Sequence, residues 1–334
     1  DLNSGYGLPL FYYHYPMPNY FGVLFHQLGV SYTDAFKLTM ASFYVLAVVF
    51  FYLWSRIFWA AIIFGWTPYW FVNLFVRGSI GEVMAMAGFA FIIWAIKAKR
   101  RALASAGVAF IILAHNISAM LFVPLIIWLN WRSAFWGILL SAYFWFPAVL
   151  GSAYVQGLSN INFADHFSEI SQLLIPSWGT GFSRPGAPFD EISQQIGLGP
   201  ILVGLGSLPQ SLVLMLVAFM TTAGSGFIWN TFSFLPLVQY PWRLLMFVPF
   251  VGGWLSLRLP RWLLIIVAAI SMLSSFAYTK PVTYQPRSDE YYLSRREFTD
   301  GTSSLGNSFS TRWTAWKDER ARDKIEILEG SGTV

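Results

Sequence analysis

The sequence predicts an all-α polytopic membrane protein, and three observations lead there. The chain has 334 residues, of which 56% are hydrophobic and only 11% charged, with mean hydropathy +0.54. An ordinary soluble domain is about a quarter charged, so a soluble fold of this size could not cover itself. Apolar runs of membrane-spanning length recur along the chain. Finally, the basic residues fall in short clusters between those runs, so the net charge of +5 reads as membrane topology rather than nucleic-acid binding. There is no cysteine, which removes disulfides, thiolate nucleophiles and Cys-ligated metals.

The opening stretch, Asp1 to Tyr20, carries Tyr6, Phe11, Tyr12, Tyr13, Tyr15 and Tyr20 among Pro9, Pro16 and Pro18. The prolines break helices, so it is expected as a stiff aromatic loop lying over the mouth of a helix bundle. Runs of about 17–25 apolar residues read as membrane helices, and they are placed near 34–54, 57–72, 80–97, 102–115, 117–130, 133–153, 195–207, 209–223, 241–257 and 261–278. Several are short, and the pairs 102–130 and 195–223 are each open to a reading as one bent or re-entrant unit. That makes a bundle of about ten transmembrane helices. Arg56, the cluster Lys97, Lys99, Arg100 and Arg101, then Arg132, Arg258 and Arg261 all fall on one side, which is therefore the cytoplasm. The expected organisation is a first exterior loop (1-33), a transmembrane domain (34-278) with a long exterior loop (154-194), and an exterior tail (279-334). The tail turns polar after Thr279, and its KIEILEGSGTV end reads as a truncated β-domain. Both ends read as cuts within a longer protein.

Ionisable residues at membrane depth are costly, and therefore informative. Arg77 and Glu82 stand five residues apart in VRGSIGE and can meet if a helix starts near Ser79. Two readings stay open: an ion pair clamping a helix start, or a phosphate contact by Arg77 oriented by Glu82. His115 and Asn116 lie between two apolar runs, at the exterior end of a helix. His115 reads as a packing residue or as a group facing the exterior site. In QYPWR, Tyr240 and Trp242 suit an interfacial aromatic belt, and Pro241 a helix start. Arg243 runs against the charge bias, and is either a snorkelling side chain or a second phosphate contact beside Arg77. Asp165, His166 and Glu169 have the spacing of one helical face. In an exposed loop they read as solvated side chains, and no metal site is assigned. No zinc, P-loop, dinucleotide or Ser-His-Asp pattern occurs.

In order along the chain, DLNSGYGLPLFYYHYPMPNY, VRGSIGE, AHNISA, PSWGTG with SQQIG, and QYPWR resemble one family. It is the "6-pyruvoyl-tetrahydropterin synthase-related" membrane domain of bacterial and archaeal proteins, itself similar to the GT-C superfamily of polyprenol-dependent glycosyltransferases. The resemblance covers most of the chain up to the tail, and no pterin chemistry follows from it. It implies a GT-C-like bundle in a prokaryotic plasma membrane, with the first loop and the tail exterior. It also implies a polyprenyl-phosphate sugar donor, with membrane lipid as the other partner and no nucleic acid. In GT-C enzymes an acid in the first exterior loop serves as base or metal ligand, and Asp1 is the sole carboxylate of that loop here. Asp1 is thus expected as the base, or as neighbour to an acid further upstream. Arg77 and Arg243 would hold the donor phosphate, supported by Glu82, His115, Asn116, Tyr240 and Trp242. Tyr6, Tyr12, Tyr15 and Trp178 would stack on sugar faces. The cofactor is unknown; a divalent metal is compatible but not indicated. A non-catalytic scaffold for an exterior domain and a lipid or solute transporter are the rival readings.

Overall fold

The computed structural model describes residues 10–155, 162–175, 192–206, 208–280 and 287–295. Among these the regular secondary structure is helical, with no strand. Of the described residues, those within 15–143 and 162–280 form a larger body, and 10–14, 144–155 and 287–295 belong to a smaller one.

Two helices, α1 (Leu10–Tyr13) and α2 (Met17–Gln27), occupy the stretch expected to be an unwound loop. The reason is positional. Pro16 is the N-cap of α2 and Pro18 lies in its first turn, where the missing N–H has no partner to lose. Helix α3 (Tyr32–Ser55) starts on Ser31, whose hydroxyl accepts from the Asp34 N–H at 3.2 Å, and ends at Arg56 with φ 62°. Next come α4 (Phe58–Gly65), α5 (Pro68–Phe71) and a π-helix, Val72–Arg77. Then follow α6 (Ile80–Lys97), α7 (Arg101–Ala114), α8 (Asn116–Leu140), α9 (Ala142–Gly151) and α10 (Ile170–Leu174). The remainder comprises α11 (Leu198–Leu205), α12 (Leu208–Met220), α13 (Gly226–Thr231), a 3-10 run Pro241–Phe247 entering α14 (Val248–Ser256), and α15 (Arg261–Ser275). The described part of the tail holds α16 (Asp289–Leu293); the expected β-domain otherwise lies outside the described residues.

Among the described residues, four helical stretches are long and apolar enough to cross a membrane by length and composition: α3, α6, Arg261–Thr279 and, only if counted whole across its break at Asn130, α8. The number rises to six if two bent pairs each count as one span, Phe58–Gly65 with Pro68–Arg77 at 50° and Ser211–Met220 with Ala223–Thr231 at 86°. The protein is therefore an all-α membrane protein. Several expected spans fold as helices shorter than a bilayer requires: α7 has 14 residues, α11 8, α12 13 and α14 9. Large apolar side chains stay exposed along these helices, Trp128 at 83%, Leu205 at 78% and Leu273 at 78%. In water such a surface would be a liability; against lipid it is the expected one.

Helix α6 is the centre of the larger body, buried around most of its circumference. Its glycines admit α7 closely: a Cβ on Gly88 would lie 2.8 Å from Ile111, and one on Gly107 2.6 Å from Ile92. Stacked and edge-on rings join the layers, Phe51 to Phe64 at 4.3 Å, Phe64 to Phe250 at 5.0 Å, Phe250 to Phe89 at 5.0 Å and Phe89 to Phe122 at 4.4 Å.

Helix α8 is two limbs rather than one rod. Asn130 has φ −160° and ψ 83°, and its side chain caps the second limb by accepting from the Ser133 N–H at 3.1 Å. The first limb descends from His115 past Phe122, level with Phe89 of α6. The second climbs again beside α7, with Ser133 Oγ 3.4 Å from the Arg101 carbonyl and Gly137 against Ser105 and Val108.

The larger body thus has two distinct ends. Arg56, Lys97, Arg101 and Arg132 gather at one, where Lys97 donates to the Trp54 carbonyl. The starts of α3 and α6 and the α7–α8 junction lie at the other, Gly78 beside Phe36 and Gly81 beside Ala114.

Candidate functional site

At that second end the π-helix decides the geometry. Its widened turn closes on Gly78 at φ 57°, with Gly78 and Ser79 N–H groups both directed at the Asn73 carbonyl. Helix α6 then begins at Ile80, placing Glu82 in its first turn opposite Arg77. Arg77 Nη1 lies 3.0 Å from each Glu82 carboxylate oxygen. Glu82 is fully buried and Arg77 is 10% exposed. Asn73 Nδ2 donates to Glu82 Oε1 at 3.1 Å, the Tyr69 hydroxyl donates to the same oxygen, and Arg77 also donates to Asn73 Oδ1. Trp242 covers the guanidinium, its ring centroid 4.7 Å from Cζ. A buried pair survives only when its remaining polar atoms are satisfied in this way.

Arg243 reaches the same hydroxyl from another element, since Tyr69 OH lies 3.4 Å from its carbonyl and 3.4 Å from Arg77 Nη1. Its guanidinium stacks over Tyr240 at 4.9 Å, and Nη1 donates to the Val238 carbonyl and to Gln239 Oε1, each at 2.9 Å. Gln239 is the strained residue of the site, with φ 71° and ψ −48°, and the Tyr240 N–H closes a γ-turn on Val238 at 2.9 Å. Arg243 thus braces an unfavourable turn. Its Nε is buried with no hydrogen-bond partner among the described residues.

His115, extended at φ −163°, separates α7 from α8. Its Nδ1 accepts from the Ser118 N–H at 3.1 Å and lies 2.7 Å from Ser118 Oγ, so the ring caps α8. Tyr15 meets it edge-on at 5.1 Å. The Tyr15 ring also fills the space over Gly81, where a Cβ would come within 2.6 Å of the ring and 2.5 Å of the Ala114 carbonyl. Burial pushes the Tyr15 phenol above its ordinary pKa, with Glu82 adding to the rise and Arg243 and Arg77 opposing it. It is therefore a protonated donor at neutral pH. His166 completes the rim, its ring 4.7 Å from Tyr240.

The cluster contains two guanidinium groups, Arg77 and Arg243, and one carboxylate, Glu82. These three side chains leave one positive charge in excess. Among the described residues no second carboxylate forms an ion pair with either arginine.

Arg77, Glu82, Tyr15, His115, Tyr240, Trp242 and Arg243 therefore come together. Asn116 does not join them: it is the first residue of α8 and exposed. Tyr12 belongs to the smaller body, packed with Tyr13 at 5.0 Å and against Gly151. Asp1, Tyr6 and Trp178 lie outside the described residues. Asp165, His166 and Glu169 do not share a helical face, because Phe163–His166 is a single 3-10 turn and Glu169 caps α10. Among the described residues no three His, Asp or Glu side chains converge to hold a metal.

Sequence reasoning passed over Tyr69, Asn73 and Gln239. Tyr69 and Asn73 stand eight and four residues before Arg77, polar groups at helical spacing in an apolar run, and that was a usable signal. An apolar cavity of about 310 Å³, lined by Phe43, Phe50, Phe91 and Phe110 over Gly88 and Gly107, opens on a face of α6 turned away from Glu82. It is no part of this cluster. No protein-family model, no curated protein and no solved structure matches the chain.

Proposed function

We propose that the chain is a membrane glycosyltransferase-like protein of the GT-C type, with the Arg243 cluster holding the phosphate of a polyprenyl-phosphate sugar. One observation carries the reading: a buried cluster with one positive charge over, in which Arg243 Nε faces no partner. Such a charge is stable at membrane depth only beside an anion or water. Arg77 is already engaged by Glu82, so Arg243 is the primary phosphate contact and Arg77 adds field strength. An acceptor hydroxyl attacks the anomeric carbon, the bond from that carbon to the phosphate oxygen breaks, and the lipid phosphate leaves with the negative charge. The arginines stabilise that charge as it develops. Asp1, or a carboxylate preceding it, takes the hydroxyl proton. Glu82 is excluded as the base, because its oxygens already accept from Arg77, Asn73 and Tyr69. The finer topology belongs to the same proposal: a prokaryotic plasma membrane, with the cluster and the tail exterior and the basic end cytoplasmic.

The test is transfer of labelled sugar from a polyprenyl-phosphate donor in proteoliposomes. Arg243→Ala is expected to lower turnover by about 10²–10³, the effect of losing one preorganised charge-stabilising donor. Asp1→Asn is expected to lower it as well. A correctly folded Arg243→Ala protein transferring at the wild-type rate refutes the assignment. Donor binding without transfer by the wild type would favour the scaffold reading instead. Transport is disfavoured because the described charges of the larger body sit at its ends rather than along a path through it; Lys37, near the start of α3, pairs with Asp34 at 3.1 Å.

A further inference from the structure

The basic end of the larger body carries a second constellation. Between the start of α7 and the rising limb of α8 lies a cavity of about 450 Å³, with Arg101 and Arg132 at its mouth. In its wall, Ser133 of α8 donates to the Arg101 carbonyl at 3.4 Å and ties the two helices together, while Ser105 donates to the same carbonyl within α7 at 3.1 Å. Both arginines are exposed and neither forms an ion pair among the described residues; Arg132 rests on Trp131 at 5.3 Å. No described carboxylate of this body answers them. Asp34 opens α3 and Glu82 opens α6, while Asp165 and Glu169 flank His166, which packs on Tyr240. Further along the wall stand Trp136 and Leu140, one turn apart and 57% and 58% exposed.

Charge that only sets topology requires no cavity, and Arg56 or Arg258 does that work equally well. Here two unpaired guanidiniums frame a hollow whose wall, beyond Ser105 and Ser133, is Ala102, Trp136 and Leu140, and which continues onto the exposed apolar face of the second limb of α8. We propose that this cavity binds the headgroup of an anionic membrane phospholipid. Its phosphodiester lies between Arg101 and Arg132, and an acyl chain runs over Trp136 and Leu140. Guanidinium forks match phosphate oxygens, the Trp ring suits the headgroup boundary, and basic pockets between membrane helices are where anionic lipids lodge. A soluble phosphate would gain nothing from the apolar wall, so the lipid is the occupant.

The experiment is native mass spectrometry of the full chain in detergent, titrated with phosphatidylglycerol or with phosphatidylcholine. Wild type is expected to retain phosphatidylglycerol preferentially. Replacing both arginines (Arg101→Ala with Arg132→Ala) should weaken that affinity about 30-fold, the product of two cations near a lipid surface. Arg56→Ala with Arg258→Ala removes as much charge from the same end and should change it less than about threefold. Trp136→Glu leaves both arginines in place, sets a carboxylate in the wall, and should abolish the preference. That variant keeps the test decisive if the double alanine protein fails to fold. Equal losses in the two double variants would overturn the site in favour of diffuse attraction. Displacement of the lipid by glycerol 1-phosphate at equal concentration would overturn the lipid assignment.

Discussion

Removing the Glu82 carboxylate is the most informative single perturbation of this fold. In Glu82→Ala, Arg77 stays 10% exposed without its counter-ion, and the cluster charge rises from one positive to two beside Arg243. Breaking one side of a buried pair costs about 3–5 kcal/mol. The Tyr69 hydroxyl and Asn73 Nδ2 lose their acceptor at the same time, each worth roughly 1–3 kcal/mol if left unsatisfied. Residues of one network do not add, so the expected loss is about 4–5 kcal/mol. Glu82→Gln keeps an oxygen for Tyr69 and Asn73 but not the charge, and should lose about half as much. Arg77→Met with Glu82→Leu replaces the pair by apolar side chains, and should be less destabilised than either Glu82→Ala or Arg77→Ala. The assay is reversible unfolding of the purified protein in mixed micelles with rising SDS fraction, followed by far-UV circular dichroism. A loss below about 1 kcal/mol in Glu82→Ala, or a double variant costing the sum of the singles, would refute the account of Arg77 and Glu82 as one buried unit.

Three further outcomes are expected. Trp242→Phe keeps a ring over Arg77 and should lose about 1 kcal/mol, whereas Trp242→Ala, at a position 3% exposed, should lose about 3–5 kcal/mol in the same unfolding assay. Gly81→Ala should destabilise by about 1–3 kcal/mol although alanine is the better helix former, because its Cβ meets the Ala114 carbonyl at 2.5 Å and the Tyr15 ring at 2.6 Å; equal or greater stability would contradict that packing. The raised Tyr15 pKa makes stability pH-dependent in one direction. The contribution is whole below the ordinary phenol value of about 10 and is lost as pH climbs through the folded-state value above it. Unfolding midpoints compared at pH 8 and pH 11 should diverge in wild type and diverge less in Tyr15→Phe; an unchanged gap would contradict the assignment to Tyr15.

Composition and run length were enough for the membrane class, and the basic clusters for the grouping of Arg56, Lys97, Arg101 and Arg132 at one end. Both are one-dimensional properties that lipid reads directly: so few charges cannot cover a water-soluble surface, and cations stay where the field permits. The meeting of Arg77 with Glu82 was also legible, since only a short turn separates them. Where apolar runs end, helix bounds were legible too: 80–97 and 102–115 fold as Ile80–Lys97 and Arg101–Ala114, and the gap expected between 130 and 133 is the break at Asn130. Pro18 could break a helix or begin one, and only the register of α2 placed it in the first turn. Nothing local said that the two runs either side of Asn130 would fold back on one another. The site itself belongs to the tertiary structure. Arg243 lies 166 residues beyond Arg77 in sequence, and the two share Tyr69 only because the turn at Gln239 is held at positive φ while the π-helix points Asn73 and Arg77 inward. Partners so far apart are chosen by which buried polar groups can satisfy one another once the helices have packed, and no spacing along the chain encodes that choice.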